Sequence, residues 1–458
     1  MIQFQFSYRK KGGAEELLQI AFPLIVSYAC DTVMMFCDRL FLSKLSSEHM
    51  SAAMAGGLSA FMCSTFFVGL LAYTTAMVAQ RLGAGKQHMC PVVTSQGLLV
   101  ALAAYPVLLL LIPLGKLLFG AAELNPAQLT LQSEYFELMM WGSLIPLLRN
   151  PLSNFFSGVG RTRIVMLAAM VSMITNVGLN YMLIFGKFGF PALGIRGAAI
   201  GTILAGVAGV VVLATSYLGK KNRGDFHVIE GLRWDRRLMG ELLRLGTPSG
   251  AELFFNLTAF TALITLFHAQ GAIAASAITI TFNWDLVGFT PLLGINVAVT
   301  SLVGRYVGKK QLSNAHRAVI SGLWLACGYM FCLMVLFALA PGPLVDLFRP
   351  SETSDTWKDI RPMAVVMVQF ISLYLLADAV NVVFIGALRG AGDTFWTMVL
   401  SAVNHWMLLA ITYVSLEVFD VSAVTAWVIL VFSLWGLTSI VVLRYYKGNW
   451  RERALTLT

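Results

Sequence analysis

Long apolar runs separated by short polar stretches recur along the whole chain. A helix rises 1.5 Å per residue, so about 20 apolar residues cross a hydrocarbon core of about 30 Å. This window predicts twelve spans. In the first half they are Leu17–Leu42, Ala52–Val78, Val92–Leu118, Tyr135–Phe156, Ile164–Phe185 and Ala198–Leu218. In the second half they are Leu245–Phe267, Ala272–Val303, Ala318–Leu339, Met363–Leu388, Phe395–Leu416 and Val424–Leu443. The runs are continuous, unlike the alternations of about ten residues in membrane barrels, so the spans are predicted to be α-helical. The first run is too long for a signal h-region and no small-residue cleavage site follows it, so it is expected to stay as an anchor.

Composition agrees. Of 458 residues, 58% are hydrophobic and only 12% are Asp, Glu, Lys or Arg, against roughly 25% charged in a soluble domain. A soluble, disordered or disulfide-stapled protein is excluded. The six cysteines (Cys30, Cys37, Cys63, Cys90, Cys327, Cys332) lie in or beside apolar runs without CxxC or Cys/His spacing and read as small buried hydrophobes.

The net charge of +9 does not describe a nucleic-acid surface, because the basic residues fall in short inter-helix segments. With the N-terminus inside, 24 of the 32 lysines and arginines lie on the inner side, Arg149, Arg389 and Arg453 among them. This bias predicts cytoplasmic N- and C-termini in a bacterial-type inner membrane. The longest polar stretch, Gly219 to Arg244, splits the spans six and six. The expected organisation is an N-lobe (1–218), a cytoplasmic linker (219–244) and a C-lobe (245–458).

The halves echo each other. Pro23 and Pro248 are 225 residues apart, as are Gly83, closing Val78-Ala79-Gln80-Arg81-Leu82-Gly83, and Gly308, closing Val303-Gly304-Arg305-Tyr306-Val307-Gly308. Gly160-Arg161-Thr162 and Gly392-Asp393-Thr394 follow at an offset of 232. Six spans per half is an even number, so a pseudo-twofold axis along the membrane normal is predicted.

Five carboxylates fall inside predicted spans: Asp31, Asp38, Glu252, Asp285 and Asp378. A charge at mid-membrane costs several kcal/mol unless it faces a cavity or a partner, so each needs a reason. Asp31 and Asp38 are two helical turns apart on one face. Glu252 has Asn256 one turn on, Asp378 has Asn381 nearby, and Asn176 and Asn180 share a face of the fifth span. His405 is a further candidate proton carrier. Interhelix hydrogen bonding would account for a lone polar residue. It does not account for five carboxylates in spans expected to hold no basic partner for most of them. A desolvated carboxylate binds a proton more readily, and with neighbouring oxygens it can hold dehydrated Na⁺. Both suit ion-coupled transport.

The chain resembles the multidrug and toxic compound extrusion (MATE) family over essentially its whole length. The resemblance rests on Ala21-Phe22-Pro23, Cys37-Asp38-Arg39, Val78 to Gly85, Asn176-Val177-Gly178-Leu179-Asn180-Tyr181 and Gly197 to Thr202. In the second half it rests on Gly246-Thr247-Pro248-Ser249-Gly250 and Gly386 to Thr394. It implies a two-lobed, V-shaped exporter without catalytic residues or cofactor, exchanging organic cations for H⁺ or Na⁺ as a monomer among membrane lipids. It places an N-lobe ion site at Asp38, Asn176, Asn180 and Thr202, and a C-lobe carboxylate at Asp378; Asp31, on the Asp38 face of the first span, is a further N-lobe candidate without a clear family counterpart. The family's span-seven glutamate falls on Asn256 here. Glu252, one turn away, is expected to replace it and to share a proton or Na⁺ with Asp378. Asp285 is a further C-lobe candidate without a clear family counterpart.

Other classes fit less well. Gly390-Ala391-Gly392-Asp393 spells the GxGD of intramembrane aspartyl proteases, but Asp393 falls on a basic loop rather than opposite a second aspartate. No GxxxxGK[ST] or HExxH is present, which leaves ATPase and zinc-protease readings unsupported. A channel needs no buried titratable groups in each half. Asn256-Leu257-Thr258 is a glycosylation sequon by spelling only. A flippase for lipid-linked precursors would favour an Arg/Lys-lined cavity, whereas acids with Trp284, Phe254, Phe255 and Tyr374 suit hydrophobic cations.

Overall fold

The computed structural model describes residues 8–121, 125–349, 356–448 and 450–451; Arg453 lies outside them. The first half holds α1 (Ala14–Ser43), α2 (Ser47–Ala72), α3 (Thr74–Gly83), α4 (Met89–Leu110), α5 (Ile112–Ala121), α6 (Pro126–Trp141), α7 (Leu144–Val159), α8 (Thr162–Phe185) and α9 (Ile195–Tyr217). A short α10 (Lys220–Phe226) leads to α11 (Arg236–Ala269), α12 (Ala272–Gly308), α13 (Leu312–Leu339), α14 (Pro341–Asp346), α15 (Trp357–Gly390), α16 (Thr394–Tyr413) and α17 (Ala423–Lys447). A π-helical turn, Val414–Val418, extends α16. Among the described residues no strand occurs.

Among the described residues, eleven stretches are long and apolar enough to cross a membrane. The twelfth crossing, predicted as Tyr135–Phe156, is assembled from the consecutive α6 and α7, broken at Gly142-Ser143. Pro146 explains the break, since its ring crowds the carbonyl four residues back at Gly142. The second span is likewise two helices, α2 and α3. There Thr74 Oγ1 donates to the Leu71 carbonyl at 2.6 Å, competing with the helical ladder. Pro113 marks the seam between α4 and α5.

The expected linker is not a free loop. Gln96 Nε2 donates to the Arg233 carbonyl at 2.8 Å and the Asp235 amide donates to Gln96 Oε1 at 3.2 Å, which docks the segment on α4. Asp235 then caps α11 by accepting from the Leu238 amide at 2.9 Å. The seventh helix therefore starts at Arg236 rather than Leu245.

Within the N-lobe α1 packs on α8 and α8 on α9; within the C-lobe α11 packs on α16 and α16 on α17. Across the lobes α1 meets α12, and α2 meets α11, the exchanged pairing that a twofold relation demands. Gly160 and Gly392 both adopt positive φ, 77° and 87°, so the two repeated turns share one backbone shape. Lipid gives helices no hydrophobic reason to associate, so close backbone approach carries the contact. A Cβ on Gly83 would lie 2.0 Å from the Arg305 carbonyl oxygen, and one on Gly308 2.2 Å from that of Gln80. These contacts lie at the end of the bundle that bears the basic loops, here termed the basic end.

Candidate functional site

Asp38 enters from α1, near the end opposite the basic loops. One carboxylate oxygen accepts from Asn180 Nδ2, and the other accepts from Thr202 Oγ1 at 3.2 Å. Asn176 Nδ2 donates to the same Thr202 oxygen at 3.1 Å. Asn176 and Asn180 are fully buried. Their amide oxygens, Oδ1 in both cases, are buried without a hydrogen-bond partner. The packing that permits this is specific: a Cβ on Gly201 would lie 1.9 Å from Asn180 Oδ1. The four expected N-lobe residues thus converge from α1, α8 and α9. A carboxylate, two unpaired amide oxygens and a hydroxyl form an oxygen-rich donor set, the chemistry suited to a small hard cation or a proton.

Asp31 does not join them. Arg149 of α7 donates from Nη1 and Nη2 to Asp31 Oδ1, both at 3.2 Å, and from Nη2 to Oδ2 at 3.4 Å. Arg149, expected on an inner loop, instead lies mid-helix in the fourth crossing. The expectation that no basic residue in the spans partners these acids is corrected at this point and again at Glu252.

In the C-lobe, Glu252 is buried and accepts from Arg389 Nη2 at 3.1 Å. Its expected pairing with Asp378 is not formed. Arg389 lies eleven residues beyond Asp378 on α15, about 16 Å along the helix, so a carboxylate held by Arg389 sits toward the basic end. Asp378 instead lies in the field of Asp285, which accepts from Tyr374 OH at 2.5 Å. Asn256 Nδ2 donates to Ser401 Oγ at 2.8 Å, leaving its Oδ1 buried and unpaired. His405 Nδ1 sits 2.8 Å from the Ser401 carbonyl. The C-lobe therefore holds two acidic sites: Glu252 with Arg389, and Asp285 with Asp378 and Tyr374.

Asp393, the GxGD aspartate, is buried at the basic end and accepts from Arg444 Nε and Nη2 at 3.0 and 2.7 Å. A structural ion pair of this kind is unlike a dyad sharing one proton. A cavity of about 700 Å³ opens between α2, α11 and α16, beside Met62, Thr258, Trp406 and Tyr413. The Thr258 hydroxyl is spent on its own helix at the Phe254 carbonyl.

The family model MatE matches residues 23–182 and 248–414, one block in each half. The chain belongs to the MatE family. Among the relatives of this MatE chain, "Probable multidrug resistance protein NorM" of Thermotoga maritima is 27% identical over 446 residues, 96% of this chain and 94% of that protein. "Multidrug resistance protein MdtK" of Photorhabdus laumondii is 27% identical, with 86% of each chain covered. Among solved structures, the "Outward-facing conformation of a multidrug resistance MATE family transporter of the MOP superfamily" aligns with TM-score 0.87 at 19% identity, covering 100% of this chain and 99% of that one. A MOP superfamily transporter from Pyrococcus furiosus, described by "Reverse polarity of binding pocket suggests different function", aligns equally at 0.87 and 19%, covering 99% and 100%. The protein is a two-lobed, multi-pass chain of the MatE family.

Residue patterns left two features unread. Arg149 was counted with the loops, although it falls within the predicted fourth span. Tyr28, one turn before Asp31, lies in the fields of Asp31, Arg149 and Arg389.

Proposed function

We propose that this MatE protein is a secondary-active efflux antiporter that exports organic, cationic compounds from the cytoplasm in exchange for H⁺ or Na⁺. The observation that carries the reading is the Asp38 cluster, a half-buried carboxylate beside two buried amide oxygens that have no partner. Such a site holds a cation or proton only while its helices stay together, so occupancy and helix arrangement are linked. The multidrug resistance names of relatives spanning nearly the whole chain support the substrate side. The basic end is assigned to the cytoplasm on the bias of lysines and arginines, which puts both termini there. Asp38, Asn176, Asn180 and Thr202 serve as the coupling site; Asp285 and Asp378 serve the C-lobe.

The test is transport of a fluorescent organic cation by purified protein in liposomes under an imposed proton gradient or an imposed sodium gradient. Uptake driven by one gradient and lost in Asp38→Asn is the expected result. Equal transport without either gradient would overturn the antiporter reading. A lipid-precursor flippase is the weaker alternative, because each arginine of the central region already faces a carboxylate.

A further inference from the structure

Residues 227–235, between α10 and α11, are folded along the side of α4. Ser95 Oγ and Gln96 Nε2 both donate to the Arg233 carbonyl, at 3.2 and 2.8 Å. A Cβ on Gly231 would lie 2.6 Å from Pro91 Cβ. Gln96 stands seven residues beyond Met89, where α4 begins, about 10 Å along the helix, and falls inside the apolar run predicted from Val92. The segment therefore rests where the basic end meets the boundary between headgroups and hydrocarbon.

Its side chains divide accordingly. Phe226 and Val228 are buried against the bundle, while Ile229, Leu232 and Trp234 are 52%, 51% and 61% exposed. At the edge of the hydrocarbon an irregular backbone needs partners of its own for its polar groups. Here the amides of Gly231, Leu232 and Arg233 donate to the His227, Ile229 and Gly231 carbonyls at 2.9 to 3.1 Å, and the Asp235 amide donates to Gln96 Oε1. The neighbouring acids are engaged: Asp225 with Arg161, Glu230 beside His227 Nδ1 at 3.2 Å, Asp235 at the Leu238 amide, and Glu241 with Arg81. Arg233, Arg236 and Arg237 are exposed. Among the described residues no ion pair holds them, although Arg237 lies in the field of Glu241. Three free arginines thus border three exposed apolar side chains, one of them a tryptophan, a residue type that settles at membrane interfaces.

We propose that this segment is a seat for anionic phospholipid in the leaflet at the basic end. Arg233, Arg236 and Arg237 hold the headgroup phosphate, and Ile229, Leu232 and Trp234 lie against the first methylenes of the acyl chains. A zwitterionic headgroup carries a cation that offsets its phosphate, so net headgroup charge sets the preference. The seat goes beyond the efflux reading and does not depend on it. Asp235 caps α11, and Glu241 of that helix holds Arg81 across the lobes. A lipid seated here therefore bears on the helix whose start closes the basic end.

The probes are dioleoyl phosphatidylglycerol, dioleoyl phosphatidylcholine and inorganic phosphate, each titrated into purified protein in detergent with Tm as the readout. An arginine at an anionic surface strengthens binding about fivefold, so phosphatidylglycerol should stabilise at a half-maximal concentration at least about tenfold below that of phosphatidylcholine. High salt should shrink the advantage, and inorganic phosphate should not reproduce it. Arg233→Gln, Arg236→Gln and Arg237→Gln combined should erase most of it, whereas the three lysine substitutions at the same positions should keep it. Removing three charges elsewhere at the basic end, by Arg163→Gln, Lys309→Gln and Lys447→Gln, should leave it intact. A nitroxide at Leu232→Cys, in a background without the native cysteines and in nanodiscs, should be relaxed more by lipid-soluble oxygen than by a water-soluble nickel chelate. That measurement needs no arginine variant to fold. Equal half-points for the two lipids, or the same loss in both neutralised triple variants, would overturn the proposal. Stabilisation by inorganic phosphate alone would reduce the seat to a soluble-anion site. A label reached chiefly by the chelate would leave the apolar residues to a partner protein, and either result ends the lipid assignment.

Discussion

Glu16 and Glu241 stand 225 residues apart and make one cross-lobe contact twice, in opposite directions. Glu16, at the start of α1, accepts from Tyr306 OH at 2.6 Å and lies 3.6 Å from Arg305 Nη1 at the end of α12. Glu241, near the start of α11, pairs with Arg81 at the end of α3. Arg81 and Tyr306 are themselves 225 residues apart. Two twofold-related links therefore close the basic end, beside the tight backbone contacts of Gly83 and Gly308.

A transporter that opens this end must break both links. Each charge-assisted bond contributes about 1.5–3 kcal/mol, so Glu16→Gln and Glu241→Gln should each shift the population toward an open basic end by at least about tenfold, and the double variant further. Spin labels at Arg163→Cys and Gln311→Cys, in a background without the native cysteines, would report a longer distance population that grows in that order. An unchanged distance distribution in the double variant would show that the glycine contacts alone hold the end shut.

The architecture was legible because membrane burial imposes long apolar runs and because the repeat left matched Pro and Gly positions. The N-lobe cluster was legible through the family resemblance, which named Asp38, Asn176, Asn180 and Thr202; spacing alone put only Asn176 and Asn180 on one face. What failed was pairing. Asp31 and Asp38 share a helix face, yet α7 delivers Arg149 to only one of them, and the sequence pattern of α1 carries no sign of which. Glu252 and Asp378 looked like partners because both are intramembrane acids, but α15 presents Arg389 to the first and Asp378 to Asp285. Glu16 and Glu241 carried a readable signal, their offset of 225, at a position where an acid at a helix start is ordinary.

The proposed assignment of the basic end to the cytoplasm predicts a labelling pattern. An impermeant maleimide should label Lys187→Cys, in the loop between α8 and α9, in intact cells, and should label Lys221→Cys of α10 only after lysis. Labelling of Lys221→Cys in intact cells would invert the orientation.

Gly201→Ala tests the coupling site without touching a charge. The new methyl would meet Asn180 Oδ1 at 1.9 Å, and overpacking of this kind costs about 1–3 kcal/mol. Ion-driven transport should fall at least tenfold, while Tm in detergent drops by only the few degrees that such a cost implies. Gly178→Ala is the control on the same lobe, since nothing lies within 4 Å of its Cβ position. Equal losses in both variants would point to general helix disturbance rather than the Asp38 cluster.

The last prediction separates the two acidic sites of the C-lobe. Groups that share a proton or a cation act as one unit, so removing the second costs little once the first is gone. Asp285 and Asp378 lie in each other's field, with Tyr374 OH donating to Asp285 at 2.5 Å. Asp285→Asn and Asp378→Asn should therefore lower ion-driven transport by similar factors, and the double variant should be hardly worse than either. Glu252→Gln should behave differently. It leaves Arg389 without its carboxylate, and breaking one half of a buried pair destabilises by about 3–5 kcal/mol. The expected loss is partly one of stability, visible as a lowered Tm, and it should combine additively with Asp378→Asn. Glu252→Gln with Arg389→Gln should recover stability relative to Glu252→Gln alone, because no unpaired charge remains. Transport and Tm measured on the wild type and these six variants complete both double-mutant cycles and the rescue comparison. Additivity between Asp285 and Asp378, with strong coupling between Glu252 and Asp378, would mean that the acids regroup during transport and that the pairing described above belongs to one state of the cycle.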